Sequence, residues 1–227
     1  MSVATVTVEL LRARSVAQTL MHGWGMLAPH CAIVGSIRRE SPLVHDIDLI
    51  APLPSDPEAT DWLYEAIAHD SEPAAEPEPK PRQDGMGLFA ATVAPAEPQP
   101  KSLGKRCRVV RGVRKGFLAC TVEVRVRMGP GSHEPFGTLQ LQVFRYVPGL
   151  HGNRGWVELM RTGPAEFGRD FLVLYRETQR IPNGQPASRD AFLLDSSGQS
   201  VPTPDEQACF NLIGRPFIEP KNRKVLL

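Results

Sequence analysis

The chain has 227 residues, of which 41% are hydrophobic and 22% are charged. This length suffices for one large domain or two small domains with cores of their own. The net charge of +1 excludes a polyanion-binding surface over the whole protein, so any nucleic-acid surface must be local. The sequence has no signal-peptide pattern and no run of about 18 apolar residues to span a membrane. Four scattered cysteines without a CxxC pair indicate reduced thiols. We therefore expect a soluble intracellular monomer, cytoplasmic or nucleoid-associated, with no membrane partner.

The first predicted element is a helix over residues 5–28. Apolar residues recur in this stretch at helical spacing and form a broad stripe. Pro29 ends the pattern. We expect this helix to pack on a sheet formed later in the chain.

A short apolar strand over residues 32–34 leads into a tight turn. Gly35 permits a close approach of the backbone to a ligand, and we expect Ser36 to cap the helix that follows. The free N–H groups of such a helix bind anions. Arg38 and Arg39 add fixed positive charge beside them, which favours a phosphate ligand.

The next strand carries two carboxylates in alternating positions. Asp46 and Asp48 share one face, while Ile47 and Leu49 take the other. Two hard oxygen ligands that face a phosphate site suit Mg²⁺ bound with a nucleotide triphosphate. The alternative is an amphipathic strand with two surface aspartates after a chance turn.

The middle of the chain combines an acidic and a basic stretch. A short helix is predicted at 60–69, and an insertion rich in proline, glutamate and alanine spans about 71–101. Residues 101–115 are basic without an acidic residue, which favours a strip for a nucleic-acid backbone. The candidate nucleic-acid-binding residues are Lys105, Arg106, Arg108, Arg111, Arg114 and Lys115. The alternative is a solvated basic loop that offsets the acidic insertion.

The remaining elements follow from alternation, helical spacing and turn residues. Two strands over 117–128 and 138–147 are predicted to pair as an antiparallel hairpin. A helix is predicted over 165–177, and a second hairpin over 191–201 turns at Ser197 and Gly198. We expect the last helix to begin with Thr203 as its cap.

Three of these stretches together resemble the family X DNA polymerases, the DNA polymerase beta-like nucleotidyltransferases. They are Gly35-Ser36-Ile37-Arg38-Arg39 with Asp46-Ile47-Asp48 after a gap of six residues, the pair Thr162-Gly163, and the C-terminal Glu219-Pro220-Lys221-Asn222-Arg223. The resemblance implies an α+β fold. A nucleotidyltransferase palm of mixed and antiparallel strands backed by helices would span residues 1–158, including the insertion. A small α+β nucleotide-selecting subdomain would span 159–227.

The resemblance also implies an activity and a set of site residues. A dNMP would be added from a dNTP to the 3′ end of primer–template or gapped DNA, in gap filling or repair, with two Mg²⁺ or Mn²⁺ ions. Asp46 and Asp48 would bind the ions. The nucleotide and its phosphates would contact Gly35, Ser36, Arg39, His45, Arg161, Thr162 and Gly163. About 30 residues precede the first motif, so we expect no lyase domain and no lyase activity.

The second strand of the first hairpin departs from the family pattern. Gln142 takes the place of a third catalytic aspartate, and Gln140 takes the place of the arginine that often partners it. An amide cannot accept the proton of a primer hydroxyl. Glu123 would replace the carboxylate only if it lies on the same face. One alternative is therefore a catalytically impaired nucleotide- or DNA-binding protein, and another is nucleotide transfer onto RNA or protein.

Overall fold

The computed structural model describes residues 7–23, 30–53, 107–115, 118–127, 136–224 and 226. Over these ranges the chain is an α+β protein with mixed sheets and helices, which confirms the coarse fold class. The predicted helix at 60–69 and the predicted insertion at 71–101 lie outside the described residues. In the part of the chain that is described, no helix is long and apolar enough to cross a membrane.

Ten strands and five α-helices are described. In chain order the strands are β1 (Val8–Glu9), β2 (Ala32–Ile33), β3 (Leu43–Val44), β4 (Asp46–Pro52), β5 (Cys107–Lys115), β6 (Ala119–Arg127), β7 (Phe136–Tyr146), β8 (Ser188–Arg189), β9 (Phe192–Leu194) and β10 (Ser200–Val201). The helices are α1 (Leu10–Gly23), α2 (Gly35–Arg38), α3 (Arg154–Thr162), α4 (Ala165–Thr178) and α5 (Glu206–Leu212), followed by a 3₁₀ turn at Pro220–Asn222.

The central element is a five-stranded sheet in the order β2-β4-β7-β6-β5. Strands β4 and β7 are parallel, and the other neighbours are antiparallel. The predicted pairing of β6 with β7 as an antiparallel hairpin is confirmed. A separate sheet of β8, β9 and β10 contains the predicted hairpin at 191–201. Strands β1 and β3 form a short third sheet.

Alternation gives the central sheet two chemically different faces. Ile47 and Leu49 of β4 lie with Leu141 and Val143 of β7 in a buried core, against which α1 packs. This core contains Ala13, Val16, Ala17 and Leu20 of the helix. The opposite face carries Asp46, Asp48, Gln140 and Gln142. We call it the candidate-site face.

Helix α1 is shorter than the predicted helix over 5–28. It begins at Leu10 because Val8 and Glu9 pair with β3 as a strand. At its other end the described helix stops at Gly23, and residues 24–29 lie outside the described ranges. The predicted packing on the sheet is confirmed.

The C-terminal part of the chain has its own aromatic core. Phe167, Phe171 and Tyr175 of α4 are fully buried, as their spacing predicts, and they pack with Phe210 of α5. A third, smaller apolar cluster joins the two parts and consists of Val34, Ile50, Phe144, Tyr146 and Val157. The predicted division after residue 158 falls inside α3 and stays a prediction.

Candidate functional site

The two aspartates and Gln142 form one polar cluster on neighbouring strands. The parallel register of β4 and β7 aligns Asp46 with Gln140 and Asp48 with Gln142. The Gln142 side chain donates from Nε2 to Asp46 Oδ2 at 3.2 Å. Gln142 therefore lies beside both carboxylates, at the position where the resemblance implies a third one.

Asp48 is the electrostatically strained member of this cluster. Burial and the neighbouring charge of Asp46 raise the pKa of Asp48 to about 7, although Arg161 and Arg39 act in the opposite direction. A divalent cation or a bound ligand with positive charge would relieve this repulsion. The carboxylate is thus suited to sharing a cation.

Gly35 allows the helix turn to lie directly against Asp48. Its φ of 65° is in the left-handed region, which glycine adopts without strain. A Cβ at this position would overlap the Asp48 carboxylate. The backbone amide of Val34 also donates to the Asp48 carbonyl at 2.9 Å. The turn and strand β4 are therefore fitted to each other at this point.

Ser36 does not cap a helix, contrary to the prediction. Helix α2 begins at Gly35, its N-cap is Val34, and no side chain caps it. At four residues the helix is a single turn, so its dipole adds little to anion binding. The Ser36 hydroxyl is nevertheless buried with no hydrogen-bond partner among the described residues. A buried hydroxyl usually has a partner, so this one is suited to a ligand.

The two arginines after Ser36 reach the C-terminal part of the chain. Arg38 donates to the Thr162 hydroxyl at 2.8 Å and lies 2.7 Å from Glu206 and 3.0 Å from Glu158. Arg39 donates to the Thr162 carbonyl and also acts on the charges of Asp46 and Asp48. Arg39 therefore lies near the predicted phosphate site but has a structural partner as well.

Glu206 is a site-supporting residue that the sequence did not reveal. Its carboxylate accepts from Arg223 at 2.8 and 3.0 Å as well as from Arg38. Burial raises the pKa of Glu206, but hydrogen bonds from Arg223 and Arg38 outweigh it and hold the pKa below its usual value. The Arg223 side chain is fully buried and lies over three phenylalanine rings. An ion pair between residues that are far apart in the chain leaves no periodic signal in the sequence.

Helix α3 ends at three of the predicted nucleotide-binding residues, Arg161, Thr162 and Gly163. The Arg161 guanidinium stacks on the Phe144 ring at 3.8 Å, and Phe144 follows Gln142 on the candidate-site face. Thr162 is buried, and Gly163, with a φ of 65°, lies close to Arg39. These residues therefore line one end of the polar cluster.

His45 is exposed beside Asp46, and its Nδ1 lies 3.1 Å from the Thr7 hydroxyl. Its predicted role in phosphate binding stays a prediction.

Glu123, the possible replacement for the missing carboxylate, pairs in register with Gln140. Glu123 thus lies on the candidate-site face, one strand beyond Gln140, and its role as a replacement stays a prediction.

The predicted basic strip is only partly described. Lys105 and Arg106 lie outside the described residues, and the others are positions on β5 whose side chains are not described. The register of β5 separates the remaining residues. Lys115 pairs with Cys120, which faces the buried core, whereas Arg108, Arg111 and Arg114 pair with residues of the opposite face.

The donor set fits one divalent cation shared with a ligand. Asp46 and Asp48 supply two charged oxygens and Gln142 a neutral amide, which suits Mg²⁺ or Mn²⁺ only if phosphate oxygens complete the shell. Over the described ranges, no three histidine, cysteine, aspartate or glutamate side chains form a metal-binding group. A second ion would have no third carboxylate at Gln142, and the predicted pair of ions stays a prediction.

The chain matches no protein-family model and no curated protein sequence.

Proposed function

We propose that this protein binds a nucleoside triphosphate with a divalent cation and transfers its nucleotidyl group to the 3′ end of DNA, as in gap filling or repair. The observation that supports this most is the contact of the Gly35 turn with Asp48 on the strand that carries both aspartates. The next residue of that turn, Ser36, has a buried hydroxyl with no hydrogen-bond partner among the described residues. Carboxylates beside a donor for phosphate oxygens are the arrangement that a metal-bound triphosphate requires.

Each residue has a role that follows from its chemistry. Asp46 and Asp48 would hold the cation, which supplies a Lewis acid for the phosphate oxygens. The Ser36 hydroxyl would donate to a phosphate oxygen. Arg39 and Arg161 would neutralise charge at the triphosphate, and Gly163 would allow the sugar to approach the backbone. Catalysis would come from positioning and charge neutralisation.

The reaction forms a bond from the 3′ oxygen to the α-phosphorus and breaks the bond from that phosphorus to the β-phosphate oxygen. Pyrophosphate leaves with the electron pair of the broken bond. The hydroxyl proton passes to solvent because the Gln142 amide cannot accept it. We therefore expect slow turnover, since a positioned general base typically contributes a factor of about 100 to 10,000.

A second candidate function is nucleotide and DNA binding without turnover. The hydrogen bond from Gln142 to Asp46 favours this second function, because the amide occupies the Asp46 Oδ2 atom, which would otherwise be available to a cation. The two candidates differ in chemistry and agree on binding. They are therefore separable by a single substitution.

The test is extension of a labelled primer on a gapped duplex, with Mg²⁺ and with Mn²⁺. We expect slow extension by the unaltered protein, none by Asp46→Ala/Asp48→Ala, and a rise of about 10- to 100-fold in Gln142→Asp. Gln140→Asp is the matched control, because it adds the same charge on the same strand one row away. Binding of a fluorescent dNTP with Mg²⁺ is measured for each variant.

The outcomes distinguish the candidates. Extension that appears only in Gln142→Asp, with nucleotide bound by the unaltered protein, would support binding without turnover. Absence of both nucleotide binding and extension in every folded variant would overturn both proposals. Equal gains from Gln140→Asp and Gln142→Asp would contradict the role given to position 142.

A further inference from the structure

Strand β5 carries an arginine at every third position. Arg108, Arg111 and Arg114 occur in a strand that forms one edge of the described central sheet. Side chains of a regular strand alternate between the two faces. Three residues spaced by three would then fall alternately on opposite faces.

Two irregularities in the pairing with β6 change this result. The register shifts between Val109 and Arg111, and again between Gly112 and Arg114. Each shift leaves one extra residue, Val110 or Val113, as in a β-bulge. Each step of three residues on β5 therefore matches a step of two on β6.

The partners of the three arginines show which face they share. Arg108, Arg111 and Arg114 pair with Arg125, Glu123 and Thr121. Glu123 and Thr121 pair in turn with Gln140 and Gln142, and these pair with Asp46 and Asp48. All three arginine positions thus belong to the candidate-site face. The row of Arg111 ends at Asp46 and the row of Arg114 ends at Asp48, whereas the row of Arg108 ends at Thr138 on β7.

The spacing of this row matches a nucleic-acid strand. Successive arginine positions are two partner residues apart, or about 6.6 Å along the strand, which is close to the separation of neighbouring phosphates. The row lies three strand spacings from β4, or about 14 Å from the aspartates. Arg108 and Arg125 are paired in register, so Arg125 belongs to the same face.

We propose that an arginine row of Arg108, Arg111, Arg114 and Arg125 binds the phosphate backbone of the nucleic-acid strand whose 3′ end reaches Asp46 and Asp48. This inference rests on the proposed function and assigns it a substrate surface. An acidic protein is the other possible partner. The even spacing favours a regular polyanion, and the rows connect the surface to the carboxylates that would bind the nucleotide.

The test is the salt dependence of binding to a labelled gapped DNA duplex, followed by fluorescence anisotropy. In Arg108→Gln/Arg111→Gln/Arg114→Gln, we expect the slope of log affinity against log salt to become shallower by about 2 to 3. Lys115→Gln is the control within the same strand, because its register position lies on the opposite face. A triple variant of the exposed Arg180, Arg189 and Arg215 to glutamine controls for net charge.

Each outcome decides the inference. A change of slope confined to the β5 triple variant supports it. An unchanged slope, or an equal change in the charge-matched control, overturns it. Competition by polyglutamate as effective as that by unlabelled DNA would overturn nucleic acid as the partner.

Binding of a fluorescent dNTP with Mg²⁺ separates this inference from the proposed function. We expect the β5 triple variant to retain nucleotide binding. If the unaltered protein binds DNA through the row but binds no nucleotide, the proposed function fails and the arginine row stands. If nucleotide binding is normal and the triple variant leaves DNA binding unchanged, only the arginine row fails.

Discussion

The carboxylate of Asp48 sits against the backbone of Gly35 and beside a second carboxylate. Its environment combines burial, a like charge and two arginines that act at longer range. Asp48 is therefore sensitive both to the shape of the turn at Gly35 and to its own ionisation. Each dependence gives a prediction.

We expect Gly35→Ala to abolish nucleotide binding with Mg²⁺ and to lower the free energy of unfolding by about 2 to 3 kcal/mol. The added methyl group would be strained at this φ and would overlap Asp48. Gly214→Ala is the matched control, because its φ is 63° and no atom lies within 4 Å of its added Cβ. It should cost about 1 to 2 kcal/mol and leave nucleotide binding intact. Urea unfolding and fluorescent-dNTP titration check both, and equal loss of binding in the two variants would contradict the role of Asp48.

Ionisation of Asp48 should make the metal-free protein less stable as the pH rises. Its folded pKa of about 7 lies above the value of 3.8 for an unperturbed aspartate, so the folded state binds more protons between these values. The free energy of unfolding therefore falls as the pH rises through this window. We expect Asp48→Asn to be more stable than the unaltered protein, with an advantage that grows by about 2 kcal/mol from pH 5 to pH 8.

Urea unfolding in EDTA at the two pH values measures this advantage. Asp195→Asn is a control of opposite sign, because hydrogen bonds from Ser197 and Gln199 lower the pKa of Asp195. That variant should be less stable than the unaltered protein at pH 8. An Asp48→Asn advantage that is the same at both pH values would contradict the assigned ionisation.

At the scale of elements, regular periodicity made the hairpins and the aromatic helix predictable. Alternation in β6 and β7 and the spacing of Phe167, Phe171 and Tyr175 depend only on local repeats. The bulges of β5 were not predictable, because a three-residue repeat of arginines does not match the two-residue alternation of a strand. Only the register with β6 shows that the three arginine positions belong to one face.

Helix caps were also beyond local reasoning. The last helix is capped by Asp205, which accepts from the Ala208 amide at 2.8 Å, and not by Thr203 as predicted. Thr203 is buried and its carbonyl accepts from Gly155. Both residues are good caps, so only the contact with α3 distinguishes them. The cap predicted at Ser36 was wrong because the helix begins at Gly35, so Ser36 is inside its first turn.

At the scale of the whole molecule, Glu206 connects the turn that contains Arg38 to the C-terminal segment that contains Arg223. Arg38 and Arg223 both donate to its buried carboxylate. The aspartates and the Gly-Ser turn were predictable from a short stretch of sequence. The ion pair of Arg38 with Glu206 was not predictable, because the two residues are 168 positions apart.

We expect Glu206→Gln to lower the free energy of unfolding by about 3 kcal/mol, because it removes the carboxylate that forms the ion pair with the buried Arg223. Glu166→Gln is the control, since its ion pair with Arg169 is exposed, and it should cost less than about 1 kcal/mol. Urea unfolding measures both. Glu206→Gln/Arg223→Met should recover part of the loss, and a double variant no more stable than Glu206→Gln would contradict this account.

The same long-range ion pair sets an order of events during synthesis. The Gly-Ser turn is translated before its partner, because Arg38 meets Glu206 only after 168 further positions have been translated. Arg223, which completes the charge balance, follows later still. A nascent chain therefore carries its carboxylate pair well before it can hold the neighbouring turn in place, and the candidate site matures only after Arg223 has been translated.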